Sequence, residues 1–476
     1  MEVTGPLPYI WNHDLGLIYM KTKTVYVCSE CKQESSKWHG RCLNCNSWNT
    51  LEETLLDNKK KSTTNRKRAS SMRLSEVISG SSHRIVTGMN EFNRVVGGGI
   101  VRDSITILTA KPGAGKSTLL LQIANDLGSQ GYVVMYASGE ESESQIKCRA
   151  DRIFDEVNEN VWVISDTSLD NVLASIETID PDLIIIDSIQ TFVLEAFPGS
   201  RAGSPTQTME CAGELLKIAK NPQRPRAVIM VGQMTKEDEL AGLRALEHLV
   251  DTVMLIEGES GEELKTLTST KNRHGGTMEM GFLTLGERGM VSIDNPSEYF
   301  MTKREDGTEV SGSALAVMKE GTRPIIIEVE SLVSSSFTPY PLRIGEALRK
   351  EQMNTLISIL EQRGGVNLYD KNVVIKITGG IKIKEQAANL AVIMSIASSV
   401  FKQPIPNHVV FVSDVGLTGE LKKVPSLEVR VKELDRMGFK KVFVAKDSSK
   451  NLRIGNIEII EAQNLQEVLK GVFKIL

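Results

Sequence analysis

No stretch of about 18 consecutive apolar residues occurs anywhere in the 476-residue chain, so a membrane-spanning helix is excluded by length alone. The first twenty residues hold Glu2 and Asp14, no Lys or Arg and no continuous apolar run. That is not the layout of a secretory signal, and it sets a cytoplasmic expectation. A dominant charge is missing too: 56 Lys and Arg stand against 60 Asp and Glu, a net −4, so the molecule as a whole is not a polyanion binder. Cysteine is scarce, and six in a cytosolic chain of this length make no disulfide framework. The 41% hydrophobic and 24% charged residues are those of an ordinary soluble globular protein, and the length sets a prior of about three domains.

Four of the six cysteines are paired in sequence. Cys28 and Cys31 form one CxxC, ten residues follow, and Cys42 and Cys45 form a second. Two such turns can present four thiolates to one tetrahedral Zn²⁺ and leave no position open for substrate, so the pattern reads as structural zinc. A segment of this size buries too little apolar surface to fold alone, and metal binding supplies the folding free energy. His39 reads as a surface residue beside this quartet, and Cys148 and Cys211 as packed small side chains in helices.

From Asp57 to Arg73 the chain carries seven Lys and Arg against one Asp, without apolar periodicity. This is a linker whose cations suit phosphate contacts and a solvated hinge equally well. Residues 20–75 together hold twelve Lys and Arg and five Asp and Glu, so the near-neutral total conceals a basic arm on an acidic remainder.

Beyond the linker, the β-rich run 104–110 leads into KPGAGK and then into an apolar helical pattern. Strand, glycine loop and helix in that order are what a phosphate-binding loop requires. The loop comprises Ala110, Lys111, Pro112, Gly113, Ala114, Gly115, Lys116, Ser117 and Thr118, with Ala110 in place of the motif's first glycine. Lys116 is suited to reach the β- and γ-phosphates of ATP, and Ser117 to ligate Mg²⁺. Three further strands end in polar residues. DLIIIDS ends near Asp187, a second candidate for Mg²⁺. YVVMYASGEES ends at Glu140 and Glu141, and Glu140 is the candidate for orienting or deprotonating the attacking water, with a helix N-terminal acid as the competing reading. RAVIMVGQ ends at Gln233, a candidate γ-phosphate sensor. The strand and helix alternation implies a largely parallel sheet with its ligand at the carboxyl ends of the strands.

With RIVTGMNEFNRVVGGGIV, the phosphate loop, SGEESESQIKCRADRI, DSIQT, TKEDELAGLRALEHLVDTV and KNRHGG in that order behind the cysteine pairs, residues 20–476 resemble the bacterial RadA/Sms DNA-repair family. The resemblance implies a RecA-like ATPase, a hexameric ring, single-stranded and branched DNA and a RecA-type recombinase as partners, and promotion of branch migration. It also maps the family's KNRFG motif onto Lys271, Asn272, Arg273, His274 and Gly275, and implies that Lys271 and Arg273 reach a neighbouring subunit's nucleotide. Without it, those residues would read as a solvated hairpin tip. His274 stands where the family has Phe and Gln233 where it has His, both expected near the γ-phosphate.

After about Ser311, strands alternate with helical patterns such as IGEALRKEQMNTLISILEQR and KEQAANLAVIMSIASSV; in the second, Ala387, Leu390, Ala391 and Met394 mark one amphipathic face. This second α/β domain resembles the proteolytic domain of Lon, which raises an ATP-dependent serine protease as the rival function. The nucleophile position falls on Ala387 and the lysine position near Glu428, and Ser426 and Lys432 do not rebuild a dyad, so a scaffold without peptidase activity is expected. The segment PLRIGEALRKEQMN is expected to be a solvated helix face carrying Arg343, Arg349 and Lys350, rather than a DNA contact. A KaiC-like regulatory ATPase is the other alternative; it shares the core but leaves the zinc module unexplained.

The expected organisation is therefore an extension over 1–19, a four-cysteine zinc module over 20–56, a basic linker over 57–75, a RecA-like ATPase over 76–300 and a Lon-protease-like scaffold over 301–476. The fold class is α/β.

Overall fold

The computed structural model describes residues 23–35, 37–48, 50–56, 73–76, 84–233, 242–258, 261–302, 304, 307–450, 452 and 455–473, in two compact units divided at residue 78. The 1–19 extension and residues 57–72 of the basic linker lie outside the described residues.

In the first unit, the strand Lys23–Cys28 pairs antiparallel with Glu34–Ser35 on one side and Leu51–Leu56 on the other. Each cysteine pair sits on a tight turn of the same design. Lys32 N–H donates to Cys28 O and Asn46 N–H to Cys42 O, both at 2.9 Å, and Lys32 and Asn46 both adopt φ 60°. That left-handed conformation folds each pair of thiols toward the other.

The second unit is built on two sheets. The first has nine strands among the described residues, in the order Gly289–Ser292, Met280–Gly286, Leu264–Asn272, Thr252–Glu257, Ile105–Ala110, Ala227–Gln233, Leu183–Asp187, Val134–Ser138 and Val161–Ser165. From Thr252–Glu257 onward the pairings are parallel; the first three strands run antiparallel. A parallel sheet must be covered on both faces, and the sequence of Leu183–Asp187 shows how. Leu183 and Ile185 pack with Leu120 and Ile123 of the helix Lys116–Ser129, whereas Ile184 and Ile186 pack with Ile176 and Leu215 of the helices Leu169–Ile179 and Pro205–Ala219. Ser204 caps the last of these through Gln207 N–H, with Pro205 at its first turn, where a missing N–H costs nothing.

The second sheet has the order Arg343–Gly345, Lys371–Ile377, Arg323–Ser335, Ser313–Glu320, Val409–Val412, Lys441–Ala445 and Glu458–Ala462. Its core is continuous with the edge of the first sheet: Met280 and Phe282 belong to it, and Phe300 meets Phe282 edge-on at 5.6 Å between ring centroids.

Three local expectations are corrected. The helix placed over IGEALRKEQMN begins only at Lys350, and Arg343 lies on the edge strand Arg343–Gly345, opposite Val373, because Ala347 and Leu348 turn inward and break the helical face. The helix Asn389–Phe401 is not amphipathic. Every residue from Asn389 to Ser398 is buried, since the second sheet covers one side and the helix Lys350–Gly364 another. Cys211 is buried as expected, but Cys148 is exposed on the helix Glu143–Ile153.

Candidate functional site

The phosphate loop joins the strand Ile105–Ala110 to the helix Lys116–Ser129. Gly113 at φ 77° and Gly115 at φ 93° supply the left-handed turns that aim backbone N–H groups into the loop. Lys116 Nζ donates to Ala110 O at 3.1 Å. Burial lowers its pKa from the ordinary lysine value, while the charges of Asp187 and Glu140 pull the other way. Both carboxylates are thus close enough to act on Lys116.

Asp187 ends the strand two places from the loop strand, and Ser117 Oγ donates to its Oδ2 at 2.7 Å. Tyr136, an interior residue of the next strand, donates its hydroxyl to the same oxygen. Burial above all, and then the Asp187 charge, push the Tyr136 pKa well above the usual phenol value, so it remains a donor. Glu140 lies beyond the end of Tyr136's strand. Its Oε1 accepts from Ser188 Oγ at 2.5 Å and from Gln233 Nε2 at 2.8 Å. Gln190 exchanges hydrogen bonds with the Gln233 backbone at 3.3 and 3.4 Å. A Cβ on Gly139 would fall 2.1 Å from Thr191 Oγ1, so a glycine there is what lets the Glu140 loop approach the 188–191 turn.

The two readings of Glu140 separate at this point. The following helix starts at Glu143 under a capping box of Ser142 and Gln145, so its first-turn acid is Glu143. Glu141 is paired with Arg149. Glu140 alone of the three acts on Lys116 and meets Gln233. Lys116, Ser117, Glu140, Asp187 and Gln233 thus converge at the carboxyl ends of adjacent parallel strands. Sequence reasoning missed Tyr136, Ser188 and Gln190; the polar run DSIQT after the Asp187 strand was the available signal for the last two.

Lys271 and Arg273 are not part of this constellation in their own chain. Lys271 is opposite Val253, Asn272 is opposite Thr252, and Thr252 is opposite Thr106, whereas Ala110 at the loop is opposite Ile256. Four residues of strand, about 13 Å, separate the two levels. The motif lies at the amino ends of the parallel strands. Lys271 donates to Glu247 O, and Arg273 reaches Asp251 Oδ1 at 3.4 Å. His274, expected near the γ-phosphate, is in fact packed with Phe92, Val96 and Ile100 around a small cavity, and Arg84 donates to its carbonyl at 2.5 Å. Burial lowers its pKa, which keeps the imidazole neutral. The reason is topological: the strand that carries the motif runs antiparallel, so its end points away from the phosphate loop.

In the C-terminal sheet region, Ala387 is 2% exposed beside a cavity of about 770 Å³. Ser426 precedes the helix Leu427–Arg436 at φ 55° without a side-chain capping bond, and Lys432 pairs with Glu428 at 2.6 Å. Buried Arg430 is held by Glu385 at 2.5 and 2.7 Å and by Val317 O at 2.7 Å.

The four sulfurs of Cys28, Cys31, Cys42 and Cys45 all lie within 4.8 Å of one another, with Cys28–Cys45 and Cys31–Cys42 each at 3.6 Å. Sulfurs about 2.3 Å from one tetrahedral Zn²⁺ lie about 3.8 Å apart, so the quartet fits that ion.

Residues 26–53 match the rubredoxin metal binding domain family, and residues 75–239 match the AAA domain family. Zinc and ATP are accordingly the ligands of these two regions. The chain is 38% identical over 461 residues to the DNA repair protein RadA of Bacillus subtilis, covering 94% of this chain and 98% of that one. It is 38% identical to the protein of the same name from Listeria monocytogenes, covering 94% and 98%, and 39% identical to that of Streptococcus pyogenes, covering 95% and 99%. Among the described residues no helix is long and apolar enough to cross a membrane.

Proposed function

Because the chain belongs to the RadA family of DNA-repair proteins, we propose that it is a Mg²⁺-dependent, DNA-stimulated ATPase of homologous recombination that works as a hexameric ring in the cytoplasm. The observation that carries this reading is the convergence of Lys116, Ser117, Asp187, Glu140 and Gln233 on one phosphate loop.

The residues divide the work. Backbone N–H groups of the loop cradle the phosphates, and Lys116 leaves Ala110 O for a phosphate oxygen. Ser117 and Asp187 would hold Mg²⁺, which would supply neutralisation of phosphate charge. Glu140, steadied by Ser188 and Gln233, takes a proton from the attacking water as the new bond to the γ-phosphorus forms and the bond to the β-γ bridging oxygen breaks. Lys271 and Arg273, remote from their own loop, act on the nucleotide of the next subunit. Single-stranded and branched DNA and a RecA-type recombinase are the partners, and branch migration is the output. Buried Ala387 and paired Lys432 support a scaffold role without peptidase activity for the C-terminal region.

The test is the ATPase rate with and without single-stranded DNA across a salt series. Stimulation that fades as salt rises is expected, because phosphate contacts weaken with counterion concentration. A rate indifferent to DNA would favour a regulatory ATPase of the KaiC kind, and ATP-dependent casein degradation would revive the protease.

A further inference from the structure

The zinc module carries a feature that metal binding does not use. Trp38 is 57% exposed and Trp48 is 70% exposed, ten residues apart in a chain with four tryptophans. Their six-membered rings both flank Gly40, where an added Cβ would lie 3.8 Å from Trp38 Cη2 and 3.9 Å from Trp48 Cζ3. The two indoles are therefore neighbours on one face of the module. Arg41 sets its guanidinium 5.7 Å from the Trp48 ring centroid and is itself anchored by Asn46 O at 2.8 Å. A bridge between Arg41 and Trp48 braces the loop, and the cysteine turn below it holds Cys42 buried. Bare aromatic rings cost free energy in water, and Trp48 is held in place by its bridge to Arg41.

The charge around the rings identifies the occupant. Between Glu34 and Glu52 the only charged residues are Lys37 and Arg41, although over residues 23–56 four Lys and Arg balance four Glu, and the chain continues into the linker, with seven cations and one Asp. Two flat rings, a guanidinium on one of them and Lys37 next to the other in sequence match unpaired bases on a polyanionic backbone. A protein partner would call for a broader apolar core with mixed charge at its rim. Duplex bases are stacked on each other and cannot use the rings.

We propose that Trp38 and Trp48 form a base-stacking platform for single-stranded nucleic acid, with Lys37 and Arg41 on its phosphates. The inference rests on the DNA-partner part of the proposed function and locates it on the zinc module.

The experiment measures fluorescence anisotropy of a labelled 30-residue oligothymidine with the full-length zinc-loaded protein, across a salt series. Trp38→Ala and Trp48→Ala should each weaken binding roughly tenfold without changing the salt slope, because stacking is lost and phosphate contacts are not. Trp38→Phe and Trp48→Phe should restore most of the affinity. Zinc content per chain and the ATPase rate without DNA should stay at wild-type values in all four. A second measurement needs no variant: crosslinking of a 5-iodouracil oligonucleotide to the wild-type protein should map to the Trp38 or Trp48 peptide. Alanine variants that bind like the wild type, or crosslinks confined to other peptides, overturn the platform alone. A wild-type protein that does not bind the oligonucleotide overturns the DNA-partner reading with it. Alanine variants that keep the oligonucleotide but lose a RecA-type recombinase would make this face a protein contact and overturn the proposal.

Discussion

Gln233 Nε2 donates to Glu140 Oε1 at 2.8 Å, although the strand Leu183–Asp187 separates their two strands in the sheet. The bond spans the carboxyl end of that middle strand, and Ser188, at its exit, donates to the same oxygen. A carboxylate held from both sides is oriented for one task.

Glu140→Gln should leave nucleotide binding intact and lower the ATPase kcat by about a hundredfold or more. Gln233→Ala should lower kcat less, since Ser188 still holds Glu140. Measured kcat and nucleotide Kd decide the matter, and a weakened Kd with unchanged kcat in Glu140→Gln would assign it to binding instead.

Lys116→Ala should abolish turnover, and Arg273→Ala should keep nucleotide binding while losing DNA-coupled work. If Arg273, about 13 Å along the sheet from its own loop, acts on a neighbouring subunit's nucleotide as proposed, the two defects fall in different copies. Mixing the two inactive variants should restore part of the DNA-stimulated ATPase at the hybrid interfaces. No recovery at any mixing ratio would argue against action between subunits.

Asp251, 4% exposed, accepts from Lys220 at 2.8 Å, from Ile105 N–H at 3.1 Å and from Arg273 at 3.4 Å. Burial works to raise its pKa, but the Lys220 and backbone hydrogen bonds prevail and leave it lowered. A lowered folded-state value means stability that is present above the unfolded value near 4 and is lost as pH falls below it. Asp251→Asn should flatten the acid limb of a Tm-versus-pH curve in that window. Asp251→Ala should cost about 2–3 kcal/mol in urea unfolding at pH 7, below the full cost of a broken buried pair because Lys220 is 38% exposed. An unchanged acid limb in Asp251→Asn would show that other groups control it.

Arg323 grips Glu91, 2% exposed, with Nη1 at 2.8 and 3.0 Å, and Phe282 N–H donates to the same carboxylate at 2.9 Å. This pair ties the second sheet to the first. Arg323→Ala leaves the buried carboxylate with only the more distant Arg94, at 3.7 Å, and should cost about 3 kcal/mol, the low end for a broken buried pair. Faster hydrogen exchange should appear in Met280–Gly286 and Arg323–Ser335 together. Exchange confined to one strand would mean that the sheets are held by the Phe282 and Phe300 contact instead.

Chelation of zinc, or Cys31→Ser, should unfold the first unit while DNA-independent ATPase activity persists. Circular dichroism and ATPase rate on one sample test this, and loss of both together would contradict the separation of the units.

The metal quartet and the phosphate loop were legible because their chemistry is compact. Four thiolates within 18 residues and a lysine and serine on one short loop leave few alternative placements. The strands ending at Asp187 and Gln233 were readable as continuous apolar runs, which a doubly covered parallel sheet demands. The helix Asn389–Phe401 misled for a related cause: Ser395 and Ser398 pass for a polar face in a pattern, yet both are buried and hydrogen-bond to the neighbouring layer at Ser331 and Gly312.

Sequence alone was enough for the chemical inventory and its order along the chain, since ligand spacing and strand periodicity are local properties. Tertiary structure decided which of these groups meet. It brought Tyr136 and Ser117 to Asp187, and Gln233 to Glu140, and it carried Lys271 and Arg273 to the opposite end of the strands. The direction in which a strand enters a sheet decides which end its terminal residues reach, and that direction depends on pairing partners far away in the chain.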